Sequence, residues 1–138
     1  MPTPDSSQMR ITVLKSKIHR ATVTENDIHY TGSITVDSEL LANANMFEYE
    51  KVQVVNIDNG QRFETYLISG RPGSGEICLN GAAARLAVVG DRVIIMAYTE
   101  LIVGDLESFR PHIVLVDKNN RILRLERSIT RSTQFSAS

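Results

Sequence analysis

Apolar positions along this chain alternate with polar ones or gather in short β-branched runs, and very little of the chain repeats at the spacing of a helix. Ile11-Thr-Val-Leu14 and Ala21-Thr-Val-Thr24 are two such runs. Lys51-Val-Gln-Val-Val-Asn-Ile57 and Arg62-Phe-Glu-Thr-Tyr-Leu-Ile68 flank Asn59-Gly60, a strong cue for a hairpin. Residues 92–98 and 112–117 predict buried strands, and Asn119-Asn120 predicts a turn into a last strand over 122–125. Helix is scarce. Asp37 or Ser38 can cap a short helix through Glu39, Leu40, Leu41 and Ala44, and the alanine-rich residues 81–86 can make one or two turns.

Many short strands at close spacing with little helix point to a mainly β fold closed into a barrel. Residues 1–8 are polar with two prolines and predict a loose leader. Residues 9–127 form one β domain, and the Ser/Thr-rich residues 128–138 predict a frayed tail. No internal repeat is visible, and the order of strands in the sheet does not follow from the pattern.

Composition narrows the class further. A chain of 138 residues with 42% apolar and 22% charged residues can bury one core. A net charge of −1 gives no global field toward nucleic acid or an anionic membrane. The apolar runs fall far short of a membrane span, and the first residues lack the order of a secretory signal. A single cysteine, Cys78, fits a reducing compartment, so a cytoplasmic protein is expected. His19, His29 and His112 are scattered and no paired Cys/His spacing exists, so no metal is expected. No Gly-x-Ser-x-Gly elbow is present. Gly70-Arg-Pro-Gly-Ser-Gly75 lacks a phosphate-binding pattern and is expected to be a hairpin loop.

Four segments stand out: Lys17-Ile-His-Arg20, His29-Tyr-Thr-Gly-Ser33, Asn59-Gly-Gln-Arg-Phe-Glu-Thr-Tyr66 and Asn80-Gly-Ala-Ala-Ala84. Each has a plain reading as a turn or a solvated strand end. Thr-Gly-Ser, however, also permits a reaction. A serine hydroxyl can attack the carbonyl just before it, and a glycine there tolerates an unusual backbone and obstructs nothing. The apolar β segment from Ser33 to Val36 would hold a new N-terminus inside the fold.

In this order and spacing the four segments resemble the pyruvoyl-dependent aspartate 1-decarboxylases, over residues 9–116. The resemblance implies a six-stranded double-psi β-barrel with short helices. It implies self-cleavage between Gly32 and Ser33, with Ser33 becoming a pyruvoyl group that forms a Schiff base with L-aspartate and releases β-alanine and carbon dioxide, for pantothenate and coenzyme A synthesis. No pyridoxal phosphate is then needed. Tyr66 would be the proton donor. Arg62 would grip the substrate carboxylate with its planar guanidinium, beside Lys17, Thr65 and the backbone of Gly81, Ala82 and Ala83. Thr65 would also polarise the Gly32 carbonyl during cleavage, with Asn80, Tyr30 and His19 in support. A homotetramer with sites between subunits is implied, and the resemblance leaves open whether a maturation factor assists.

Three points depart from the usual pattern: Arg85 where the family usually has histidine, Thr31 at a variable position, and the eight residues ahead of Met9. Strand alternation also sets Thr65 on the face opposite Arg62, Glu64 and Tyr66, which a bulge, strong twist or a shared site would reconcile. The competing reading is a non-catalytic small β-barrel that binds a ligand with its chain uncut. A third is the same machinery acting on another amino acid such as glutamate.

Overall fold

A computed structural model describes residues 6–129. Nine strands share one hydrogen-bonded order, β2-β6-β3-β5-β4-β7-β1-β8-β9. In chain order these are β1 (Arg10–Thr22), β2 (Glu25–Asp27), β3 (Ser33–Asp37), β4 (Lys51–Asn56), β5 (Arg62–Gly70), β6 (Ile77–Asn80), β7 (Arg92–Ile102), β8 (His112–Val116) and β9 (Ile122–Glu126). The mainly β class expected from sequence holds; the count of six strands does not. The excess comes from short ladders, such as the three residues of β2, which carry too little pattern to be seen in a sequence.

Sheet order explains how the strands close. β1 stands seventh in the order and β2 first, yet only Val23 and Thr24 separate them in the chain. Val23 donates to Asp91 and Thr24 to Ile77, 2.9 Å each, so the two ends of that run of strands are drawn together. Inside lies one apolar cluster that includes Ile18, Ile34, Val36, Val54, Leu67, Ile77, Leu79 and Ile95, all fully buried. This is the barrel that the strand spacing predicts.

The expected hairpin is β4 with β5, antiparallel from Lys51↔Tyr66 to Val55↔Arg62. Gly60 turns it at φ 76°, with Asn56 N–H donating to Gln61 across the loop. The helix over residues 38–44 also forms, as α1 (Ser38–Ala44), and Asp37 caps it by accepting from Glu39 N–H at 2.8 Å. Asp37 does more than cap. Its carboxylate also accepts from Gly73 and Gly75 N–H, so the glycine-rich loop spends its amides on the protein itself.

The first run expected near the N-terminus and the first two residues of the second belong to one strand. β1 continues through Lys17 and His19 by register shifts after Leu14 and after Ile18, and Arg20 at φ 67° carries the second irregularity. Residues 81–86 form a 3-10 turn, Gly81–Leu86. Within the expected leader, Ser6–Gln8 form a 3-10 turn; residues 1–5, and 130–138 of the expected tail, lie outside the described residues.

Candidate functional site

Register brings the reactive segment to its neighbours. β3 runs antiparallel to β6 with Ser33 opposite Asn80, Ile34 opposite Leu79, Thr35 opposite Cys78 and Val36 opposite Ile77. Side chains alternate along a strand, so the pairing sorts them cleanly. Ile34, Val36, Leu79 and Ile77 fill the core. Ser33, Thr35, Asn80 and Cys78 share the opposite face.

On that face the polar groups satisfy one another. Ser33 Oγ donates to the Thr31 carbonyl at 3.1 Å and accepts from Asn80 Nδ2 at 2.9 Å. Asn80 Nδ2 donates a second bond to Thr35 Oγ1 at 3.0 Å, and Asn80 Oδ1 accepts from Cys78 Sγ at 3.2 Å. Ser33 is 1% exposed, Asn80 3% and Cys78 5%, so these bonds face little competition from water. Burial comes first among the causes that push the Cys78 thiol up to about 11, followed by the charges of Glu25, Glu76 and Asp27. At neutral pH it is an S–H donor.

Gly81 closes the site from behind. At φ 64°, a Cβ there would stand 2.6 Å from Gly32 Cα, 2.7 Å from Gly32 N and 2.9 Å from the Tyr30 carbonyl oxygen. Only glycine permits that approach of two backbones. Gly32 itself is outside the left-handed region and has open space where a side chain would point, so room, rather than backbone strain, is what its glycine supplies here.

That open side is a cleft of about 410 Å³ lined by Gly32, Phe63, Glu64, Thr65, Tyr66, Ala82, Ala83 and Leu86. Five of the positions singled out in the sequence thus meet at one cavity. Thr65 and Tyr66 both line it despite their alternation, and the ladder offers a reason. Residues 62–66 of β5 pair with β4, but β3 joins the other edge only from Leu67 onward, so the earlier part keeps an open edge beside Gly32. Residues on both faces of an edge strand can border a cleft at that edge.

Other positions lie elsewhere. Arg62 begins β5 with its guanidinium on Gln53 Oε1 at 2.6 Å. Lys17, opposite Met96 and Ile113 in the middle of β1, is half-buried, and burial lowers its pKa. His19 is 7% exposed, and neither ring nitrogen has a hydrogen-bond partner among the described residues. Burial, then Lys17, Arg20 and Arg92, lower its pKa to about 4, so it is neutral at pH 7. Tyr30 meets Gly81 through its backbone while the residue is 48% exposed. Arg85 is exposed. No group of three His, Cys, Asp or Glu suited to a metal occurs among the described residues.

Comparison with known proteins gives the family. The profile of the family described as aspartate decarboxylase matches residues 9–123. The chain belongs to the aspartate decarboxylase family. It is 63% identical to the aspartate 1-decarboxylase of Caldicellulosiruptor saccharolyticus over 117 residues, 85% of this chain and 91% of that one. With the enzyme of the same name from Ruminiclostridium cellulolyticum it shares 59% over 116 residues, 84% and 91% of the two chains. Among solved structures, the computationally designed protein msDPBB_sym2 aligns with 63% of this chain and 99% of its own at 17% identity and a TM-score of 0.41, too low to bear on the fold.

Two positions in the buried network, Thr35 and Cys78, carry no signal in the sequence. Their only cue would have been strand parity with Ser33 and Asn80, which has meaning once β3 is known to pair with β6.

Proposed function

We propose that the chain cuts itself between Gly32 and Ser33 and then decarboxylates L-aspartate to β-alanine and carbon dioxide, the reaction that feeds pantothenate and coenzyme A synthesis. The observation that carries this reading is the Ser33 hydroxyl, buried beside a glycine and held between the Thr31 carbonyl and the Asn80 amide.

The cut follows from ordinary acyl chemistry. Ser33 Oγ attacks the Gly32 carbonyl carbon, the C–N bond breaks, and the hydroxyl proton ends on the Ser33 nitrogen, leaving an ester. Loss of the Ser33 Cα proton then breaks the Cβ–Oγ bond. Oγ departs as part of the Gly32 carboxylate and leaves a dehydroalanine, which water converts to the ketone with release of ammonia. Charge grows on Oγ in that departure, where the Asn80 N–H already points. Thr65, on the same cleft as Gly32, is the group assigned to the Gly32 carbonyl oxygen during the attack.

The residues around Ser33 suit a pyruvoyl group. Its place is buried, the cleft opens at Gly32, and Asn80 offers an N–H donor. In place, such a group supplies a ketone that draws electrons from the α-carbon of an amino acid as carbon dioxide leaves. The chain's own residues do the rest. Arg62 lies outside the cleft lining but on the same strand as Tyr66, and it is the group assigned to a substrate carboxylate, which it grips by giving up its bond to Gln53. Tyr66 returns a proton to the α-carbon. The small side chains of Ala82 and Ala83 leave their backbone open to the ligand on the cleft wall.

Lys17 belongs to a strand that does not line this cleft, so its role at the site requires completion by a neighbouring copy, as in the homotetramer that the family resemblance implies. His19, neutral and two residues from Lys17, backs it. The buried free thiol of Cys78 suits a reducing compartment such as the cytoplasm, and no helix among the described residues is long and apolar enough to cross a membrane. Carbon dioxide release from a panel of amino acids tests the substrate. Aspartate is expected to be used fastest; faster release from glutamate or any other amino acid overturns that choice.

A further inference from the structure

We propose that Cys78 and Thr35 are positioning residues for self-cleavage: together they hold the Asn80 carboxamide with an N–H, and not its carbonyl, on the Ser33 oxygen. The inference rests on the self-cleavage reading above and adds the groups that orient its donor.

A carboxamide is nearly symmetric in shape and opposite in polarity at its two ends. Turned by half a rotation, Asn80 would set a carbonyl lone pair against Ser33 Oγ. That arrangement opposes the charge that gathers on Oγ as it leaves with the Gly32 carboxylate. Nothing in the backbone chooses between the two orientations, so the choice falls to the neighbours of the amide. Thr35 Oγ1 accepts one N–H at 3.0 Å, and Cys78 Sγ donates to Oδ1 at 3.2 Å, the nearer of its two acceptors, the other being the Leu79 carbonyl at 3.9 Å. With those contacts made, the remaining N–H has one place to go, Ser33 Oγ at 2.9 Å.

The sulfur contributes as a donor only while protonated. Its burial and the acidic side chains around β2 and β6 keep it so at neutral pH. Register makes the arrangement unavoidable once those residues are present, because Thr35 lies opposite Cys78 and Ser33 opposite Asn80 on one face.

The step affected is the elimination, in which the Ser33 Cβ–Oγ bond breaks, and not the earlier acyl shift. Purified full-length chains carrying Cys78→Ala, Cys78→Ser or Thr35→Val are incubated alongside the parent chain. Intact mass follows conversion, and neutral hydroxylamine reveals any accumulated ester by releasing residues 1–32 as a hydroxamate.

Cys78→Ala and Thr35→Val are expected to convert at least about fivefold more slowly, the worth of one net hydrogen bond, with hydroxylamine-labile ester building up. Cys78→Ser restores a donor in a side chain almost as small as alanine and is expected to stay within about twofold of the parent. Thermal melts confirm that each variant is folded, and Thr35→Val carries the test if Cys78→Ala is not. Equal rates for all chains overturn the proposal. So does equal slowing by alanine and serine, which means mere packing, or slow conversion without ester, which places the effect at the acyl shift. A parent chain that never converts contradicts the self-cleavage reading instead.

Discussion

Asn80 makes three hydrogen bonds with one side chain, and replacing it removes the donor to Ser33 Oγ together with the two bonds that orient it. Asn80→Ala is expected to fold and to convert at least about tenfold more slowly, since a donor to a charge-bearing oxygen is gone. Asn80→Asp should be slower still, because it sets a carboxylate against the oxygen that must leave with negative charge; conversion followed by intact mass checks both. Tyr66→Phe is expected to convert like the parent yet release carbon dioxide at least about a hundredfold more slowly, in line with removal of a general acid. Equal turnover would place the proton donor elsewhere. Ser33, Asn80 and Tyr66 were legible in the sequence because their motifs are contiguous. Cys78 and Thr35 were not, because hydrogen bonds between two strands depend on a register that no local motif encodes.

At the level of elements, two junctions set the geometry. The start of the Gly81–Leu86 turn leans its backbone on Gly32, so Gly81→Ala must either push Gly32 away or abandon φ 64°. It is expected to lower stability by about 1–3 kcal/mol, read from urea unfolding, and to slow conversion as well. Asp37 ties α1, β3 and the glycine-rich loop through the N–H groups of Glu39, Gly73 and Gly75. Asp37→Ala leaves those donors without their acceptor and is expected to cost about 2–3 kcal/mol in the same measurement. The α1 helix and the β4–β5 hairpin could be read ahead of the structure, since a cap residue and Asn59-Gly60 act locally. β2 and β6 could not: three or four residues show too little alternation, and their pairing partners are distant in the chain. The division of β5 between β4 and β3, which opens the cleft edge, is likewise invisible in a linear pattern.

Over the whole molecule, the buried His19 and the partly buried His112 make stability depend on pH. The His19 pKa falls to about 4 in the fold, against about 6.5 in an unfolded chain. Between those values the unfolded chain binds a proton that the folded one does not, so stability is complete above pH ~6.5 and declines as pH falls toward 4. His112, lowered by burial and then by Arg127 and Lys15, acts in the same direction. Melting temperature measured across this window is expected to drop with pH, and His19→Gln to flatten the slope. The closed barrel itself was legible, because strand spacing and scarcity of helix act through the entire sequence. Self-cleavage is a covalent change in the chain, and mass spectrometry of the protein under denaturing conditions tests it most directly. Two pieces are predicted, one ending at Gly32 and one running from residue 33 to residue 138 with a ketone in place of its N-terminal amine. A chain that keeps its full mass after prolonged incubation, with no ester for hydroxylamine to cut, would contradict it.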